Sequence, residues 1–392
     1  MRIYLDNAAT SWPKPDCVVK AVSNCMSVYC GNPGRGGHVL SVLSMKTVLE
    51  CRRLVSELFR IRDPLRVVFT KNATEALNLA LICLEIPNRV ILSTGMEHNS
   101  VARPLHRLTG RDSGDAKVCF TRPGPFGYPV LGELKQQIEA VKPGLVVTLL
   151  SSNVNGIVFP VSEIGAMVRE QGGYFLVDAA QGAGCIDIDV EEMNIDMLAF
   201  SGHKGLLGPQ GTGGLYIGER IGSLDECRIR PLLAGGTGSN SREMDQPISL
   251  PEGFESGTLN TPGLAGLSAG IDHLLSLGVY RIREHKQKMV RLLLDGLKRM
   301  KDRVDLLTPA SARENSGIVA FNIKGMDSTE VADRLDQESG IAVRGGLHCA
   351  PMAHCVLGTL ETGAVRVSFG TYNTGEDVLS LLDALRRIAG RP

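Results

Sequence analysis

Lys204 lies in Ser201-Gly202-His203-Lys204-Gly205-Leu206-Leu207-Gly208-Pro209, directly after the apolar run Met197-Leu198-Ala199-Phe200. Such a run reads as a buried strand that ends in a glycine-rich loop. An amine in a dry, polar-lined pocket can lose its proton and attack a carbonyl as a Schiff-base nucleophile. Ser201 and His203 flank it closely enough to hold an anion such as a phosphate. Alone, a Lys-Gly pair is more often a surface turn. Upstream, Tyr174-Phe175-Leu176-Val177-Asp178 is a second apolar run that ends in a carboxylate, and Gln181 follows three residues later. A lysine and a strand-end acid together are what pyridoxal phosphate (PLP) requires. The lysine forms the Schiff base, and the acid keeps the pyridine nitrogen protonated so that the ring draws electrons from a substrate α-carbon. Both residues would meet at the carboxyl ends of neighbouring strands.

Two further stretches add to this pair. Lys71-Asn72-Ala73-Thr74-Glu75 opens a helix after the strand Arg66–Thr70. Backbone N–H groups and a hydroxyl at a helix start cradle a phosphate, although Thr is also an ordinary cap. His98 opens another helix in Glu97-His98-Asn99-Ser100 and by itself reads as a cap or a buried histidine. His348, Cys349, His354 and Cys355 match no common zinc spacing, so no metal is expected.

The elements that must position these residues follow from the pattern. From Leu65 onward, short apolar runs alternate with helical stretches: 66–70, 89–93, 116–120, 145–150 and 174–178 as strands, 161–171 as a helix. That alternation means a parallel sheet covered on both faces. Before it come helical spacing over 16–29, a loop over 31–38 carrying Arg35 and His38, and a long amphipathic helix over 40–60. A Gly/Ser-rich irregular section runs from 218 to about 257, with a loop at 233–240. A charged helix over 280–300 leads to strands near 317–323, 341–344 and 365–369 and helices near 328–338 and 376–388, an α+β pattern.

Composition sets the class. At 392 residues the chain is long enough for a large and a smaller domain. Lys plus Arg and Asp plus Glu both number 42, so the formal net charge is zero and no broad pull toward nucleic acid or anionic membrane is expected. No apolar run reaches the length of a membrane span and no signal-peptide core opens the chain. Ten scattered cysteines read as reduced thiols of a cytoplasmic protein.

With these residues assembled, the chain resembles the aminotransferase class V enzymes, and more closely the cysteine desulfurases and selenocysteine lyases. The resemblance runs from Tyr4-Leu5-Asp6-Asn7-Ala8-Ala9-Thr10 to Arg366-Val367-Ser368. Its most specific motifs are Asp178-Ala179-Ala180-Gln181, Ser201-Gly202-His203-Lys204 and Arg344-Gly345-Gly346-Leu347-His348-Cys349-Ala350-Pro351. It implies an α/β chain of the fold type I PLP-dependent transferases: a large domain with a mostly parallel seven-stranded sheet, and a small α+β C-terminal domain. The expected division is an arm at 1–15, a PLP-binding domain at 16–270 and a C-terminal domain at 271–392 packed with the arm.

The resemblance also implies roles. Lys204 carries PLP, Asp178 pairs with its pyridine nitrogen, Gln181 reaches its phenolate oxygen and His98 stacks on its ring. Ala73, Thr74, Ser201 and His203 hold its phosphate, with Thr258 of a partner subunit. Asn153 and Arg366 receive the substrate carboxylate. Cys349 takes sulfur from L-cysteine, releasing alanine, and passes it to a sulfur-acceptor protein such as one serving iron–sulfur cluster assembly; L-selenocysteine is implied as a second substrate. A thiolate attacks far better than a thiol, and Arg344 and His348 are the expected sources of nearby positive charge. A homodimer is expected. Two other readings stay open at this point: another class V enzyme in which Cys349 is incidental, and a non-catalytic PLP-binding sulfur carrier.

Overall fold

In a computed structural model, residues 2–34, 36–110, 116–238 and 242–390 are described. Arg35 and the end of the 233–240 loop lie outside them. A seven-stranded sheet forms the centre. In spatial order its strands are Val67–Thr70, Gly213–Ile217, Met197–Ser201, Tyr174–Asp178, Leu145–Leu149, Val90–Ser93 and Lys117–Phe120. All pair in parallel except Gly213–Ile217, which runs antiparallel to both neighbours. The strands at its heart read as continuous apolar runs because helices cover both faces, and every residue of Leu145–Leu149, Tyr174–Asp178 and Met197–Ser201 is buried.

The antiparallel strand was not expected from the sequence. Gly213 and Gly214 weaken the strand signature, yet both are needed. A Cβ on Gly214 would sit 2.5 Å from the Phe200 ring, and one on Gly213 would meet the Asn72 backbone at 2.7 Å.

The long helix spans Val39–Phe59 and is capped by His38, whose side chain accepts from the Ser41 N–H. The helical stretch expected over 16–29 divides into an α-helix, Asp16–Asn24, and a wider π-helical turn, Cys25–Tyr29. Helices Thr261–Leu277 and Val279–Lys298 lead to a second apolar cluster around Leu293, Phe321, Val367 and Leu385. There an antiparallel sheet is ordered Val365–Ser368, Ile318–Ile323, Val304–Leu306. The N-terminal arm joins this part of the molecule: Ile3–Tyr4 pairs in parallel with Ile341–Ala342. Short strands such as Val304–Leu306 carry too little periodicity to be seen in the sequence. No described helix is long and apolar enough to cross a membrane.

Candidate active site

Strands Tyr174–Asp178 and Met197–Ser201 are neighbours in register, with Asp178 opposite Ala199. Their carboxyl ends open on a cavity of about 200 Å³ lined by Asn72, Ala73, Thr74, His98, Asn153, Asp178, Gln181, Ser201, His203 and Lys204. The cavity therefore gathers residues that are distant in sequence but were singled out from it.

Lys204 reaches the cavity from a tight loop. Gly205 permits it, since a Cβ there would lie 2.0 Å from the Ala183 carbonyl oxygen. Burial lowers the Lys204 amine to about 8, against the opposing pull of Asp178. Asp178 is buried and accepts from the Ala180 N–H at 2.9 Å. Burial raises its carboxyl, while that hydrogen bond and Lys204 pull it back. Gln181 donates from Nε2 to the Ala8 carbonyl at 2.8 Å. An amide nitrogen carries two hydrogens, so one remains for a ligand.

His98 is the N-cap of helix Asn99–Leu108, and its Nδ1 accepts from the Ser100 N–H at 3.1 Å. Burial, with Lys204 and Arg366 nearby, lowers it to about 4, so it is a neutral ring carrying its proton on Nε2. Helix Ala73–Ile82 presents its N-terminus to the other end of the cavity. Its cap is Asn72 rather than Thr74, which leaves the Thr74 hydroxyl available. The Ala73 N–H donates to Ser201 Oγ at 3.3 Å. His203 is likewise lowered to about 4 by burial, so this end attracts an anion through neutral donors and the helix dipole.

The cavity fits PLP on its own chemistry. It offers an amine, an acid, a flat imidazole and a helix N-terminus. Three buried polar atoms beside it, His203 Nδ1, Asn153 Oδ1 and Arg366 Nε, have no hydrogen-bond partner within the protein. Buried polar groups are rarely left so, and a bound group is the usual reason.

Arg366 is 3% exposed. Its Nη1 donates to the Asn153 carbonyl at 3.0 Å and its Nη2 meets Asp6 Oδ1 at 2.9 Å. Arg344 also holds Asp6, at 2.9 Å. Asp6 thus joins both arginines. In the sequence, Asp6 stands out only as part of a motif. The arm does more: the His203 carbonyl accepts from the Ser11 N–H at 3.0 Å and from Lys14 Nζ at 2.8 Å. The arm is a wall of the site, fastened beside Lys204.

Cys349 is exposed at the mouth of this site. Its thiol is near enough to Lys204 and Arg366 for its charge to be felt at both. His348 and Cys349 both have left-handed backbone, φ 52° and 54°. Without a glycine, that conformation costs on the order of 1 to 3 kcal/mol per residue and persists only when its surroundings fix it. Asn153 Nδ2 donates to the His348 carbonyl at 2.8 Å, and the Asn99 N–H to the Cys349 carbonyl at 2.7 Å.

The expectation that His348 supplies positive charge is overturned. Its ring is buried and lowered to about 2 by desolvation and by Arg366, so it is neutral at any working pH. It contacts His354 instead, and among the described residues no group of three His, Cys, Asp or Glu side chains is placed to hold a metal. Arg344 remains a cation near Cys349, as are Lys204 and Arg366. Thr258 is exposed and lines a different cleft, 3.4 Å from Asn32 Nδ2, so it does not reach its own chain's cavity.

Known proteins share this chain's sequence and fold. Residues 3–381 match the model of the family described as aminotransferase class V. A probable cysteine desulfurase of Pyrococcus abyssi is 35% identical over 395 residues, covering 98% of this chain and 94% of its own. The apo structure of a cysteine desulfurase from Thermococcus onnurineus superposes with a TM-score of 0.91 at 35% identity, over 99% of this chain and 95% of that one. A cysteine desulfurase of Escherichia coli gives a TM-score of 0.86 at 29% identity, over 98% and 94%. The chain belongs to the aminotransferase class V family of PLP-dependent enzymes, among the cysteine desulfurases.

Proposed function

We propose that this chain converts L-cysteine to L-alanine and leaves the sulfur as a persulfide on Cys349. The observation that carries the proposal is the seat of Cys349: an exposed thiol whose own carbonyl is bonded to the residue after His98, beside Lys204 and Arg366. A class V enzyme that only moved an amino group would have no use for a thiol there.

Lys204 holds PLP, and when bound PLP draws electrons from the substrate α-carbon. Asp178 supplies the negative charge that this demands at the ring nitrogen. Gln181, with its second N–H, takes the ring oxygen, and His98 covers the ring face. Ala73, Thr74, Ser201 and His203 form the phosphate end. Arg366 receives the substrate carboxylate through the edge that Asp6 and Asn153 leave open, with Asn153 beside it. The Lys204 amine, lowered to about 8, would be the base for the α-proton. The Cys349 thiolate then forms a bond to the substrate sulfur. The carbon–sulfur bond breaks with its electron pair on the β-carbon, the β-carbon takes up a proton, the α-carbon regains the one that Lys204 removed, and alanine leaves. Arg344 stabilises the attacking thiolate.

Selenium leaves carbon more readily than sulfur, so L-selenocysteine is included as a substrate. The acceptor of the persulfide is a protein thiol. We also propose residues 16–270 as the cofactor-binding domain and 271–392, with the 1–15 arm, as the smaller domain. The working form is a cytoplasmic homodimer. The outer face of helix Val39–Phe59 exposes Val39, Leu40, Leu43, Met45 and Leu49, a run that a second copy would cover, next to the cleft that contains Thr258. Purified protein loaded with PLP, given L-cysteine and a thiol reductant, is expected to release alanine and sulfide in equal amounts. Release of pyruvate or another keto acid instead would favour an aminotransferase or lyase.

A further inference from the structure

Behind Cys349 lies a polar chain made of the side chains of Thr359, His354 and His348 and the backbone carbonyl of Arg344, with no charged group in it. His354 is 0% exposed and His348 8%. Their rings lie 5.3 Å apart, centre to centre, and His348 Nδ1 is 3.2 Å from His354 Nε2. His348 Nε2 is 3.3 Å from the Arg344 carbonyl oxygen, and His354 Nδ1 is 2.7 Å from Thr359 Oγ1. Burial holds both rings neutral, His354 at about 4 and His348 at about 2.

Only one arrangement of protons satisfies every atom. The Arg344 carbonyl can only accept, so His348 carries its proton on Nε2. A neutral His348 then has a bare Nδ1, which needs a donor, so His354 carries its proton on Nε2. His354 Nδ1 is bare in turn and accepts from the Thr359 hydroxyl. The chain is directional, from Thr359 through His354 and His348 to Arg344. Its far end is the carbonyl of the arginine beside Asp6, which also accepts from the Arg366 N–H at 2.8 Å. The relay therefore ties His348, the first residue of the left-handed turn, to the backbone of Arg344 four residues before it.

Two apolar side chains would fill the same space without polar atoms to satisfy, so a fully paired chain here is a geometric device. We propose that His354 and Thr359 are positioning residues that hold the seat of His348, and through it the aim of the Cys349 thiol. The proposal rests on the reading of Cys349 as the nucleophile. Neither residue lines the cofactor cavity.

The test compares His354→Leu, His354→Gln, Thr359→Val and Cys349→Ala as PLP-loaded holoenzymes, with thermal melts and the visible cofactor band recorded for each. Gln can still donate to His348 Nδ1, whereas Leu cannot. His354→Leu is expected to lower kcat roughly ten- to a hundredfold with KM for L-cysteine unchanged, because a small misplacement of a reacting group has that effect. The rate of persulfide formation at Cys349, read by peptide mass spectrometry, should fall in parallel. Thr359→Val should move in the same direction, and His354→Gln should recover most of the rate. A purely structural role would lower the melting temperature of both His354 variants and spare kcat below it. Wild-type kcat in folded, loaded His354→Leu and Thr359→Val overturns the proposal. So does His354→Gln that is as slow as His354→Leu. Wild-type desulfuration by Cys349→Ala instead removes the nucleophile assignment on which the proposal rests.

Discussion

The backbone N–H of Asn99 donates to the carbonyl of Cys349 at 2.7 Å. Asn99 is the first residue of a helix, where N–H groups have no partner within the helix. Its neighbour His98 caps that helix and lines the cofactor cavity. One hydrogen bond thus sets the distance between an imidazole at the cavity and a thiol at its mouth, across 250 residues of chain. With the bond from Asn153 to the His348 carbonyl, it fastens the Cys349 turn to helix Asn99–Leu108 and to the loop after strand Leu145–Leu149.

The first prediction concerns Lys204. Only the neutral amine can attack PLP, and its folded value is about 8. The rate of cofactor loading onto apoprotein should therefore rise with pH and level off above about 8, well below the range of an ordinary lysine. Stopped-flow absorbance of the growing visible band measures it. Lys204→Ala should show no band that borohydride removes; a borohydride-sensitive band in that variant would point to another lysine.

The second concerns Asp178, whose charge raises the Lys204 value while burial lowers it. Asp178→Asn removes the opposing pull, so the loading midpoint should move to lower pH. Turnover should fall about a hundredfold or more, since the ring nitrogen is no longer held protonated. Cofactor should still bind. A midpoint that stays put or rises would show that the two side chains do not sense each other.

Much of this site was legible because its chemistry sits at strand ends. Asp178 and Lys204 each follow an uninterrupted apolar run, and fully buried parallel strands produce such runs. The two strands are adjacent, so reading each end placed both residues in one cavity. Asp6, His354 and Thr359 were not legible as site residues. Each acts through a partner far along the chain or through a buried hydrogen bond, and neither relation leaves a period or spacing. His348 was misjudged for a related reason: a histidine beside a cysteine suggests a cation, and only burial shows that it is neutral. Gly213–Ile217 escaped because two glycines, required by close backbone approach, mask a strand.

A third prediction concerns assembly. Val39 and Leu49 are 67% and 48% exposed on one helix, so changing them should not disturb a core. Val39→Glu with Leu49→Glu should give a folded protein that sediments as a monomer. It should also lose PLP on dialysis faster than the parent, because Thr258 would no longer reach a partner's phosphate end. Parent protein that is monomeric, keeps PLP and turns over would remove both the dimer and the role of Thr258.

The last prediction separates sulfur transfer from the rest of the chemistry. On the proposed assignment, Lys204, Asp178, His98 and Arg366 suffice to hold PLP and cysteine and to remove the α-proton. Breaking the carbon–sulfur bond needs a second nucleophile, and Cys349 is the thiol whose charge is felt at Lys204 and Arg366. Cys349→Ala should keep the visible band and still show a spectral change when L-cysteine is added. It should also exchange the substrate α-hydrogen with deuterium from solvent, which reports proton removal without sulfur transfer. Alanine release should drop to the background of the assay, and no persulfide should be found at the site. Selenocysteine should be less affected, because its carbon–selenium bond breaks with less help. Cys355 supplies the control: it is also exposed, lies six residues away on helix Pro351–Leu357, and was assigned no role. Cys355→Ala should keep most of the activity. A persulfide on Cys355 after cysteine treatment, or undiminished alanine release from Cys349→Ala, would move the nucleophile elsewhere.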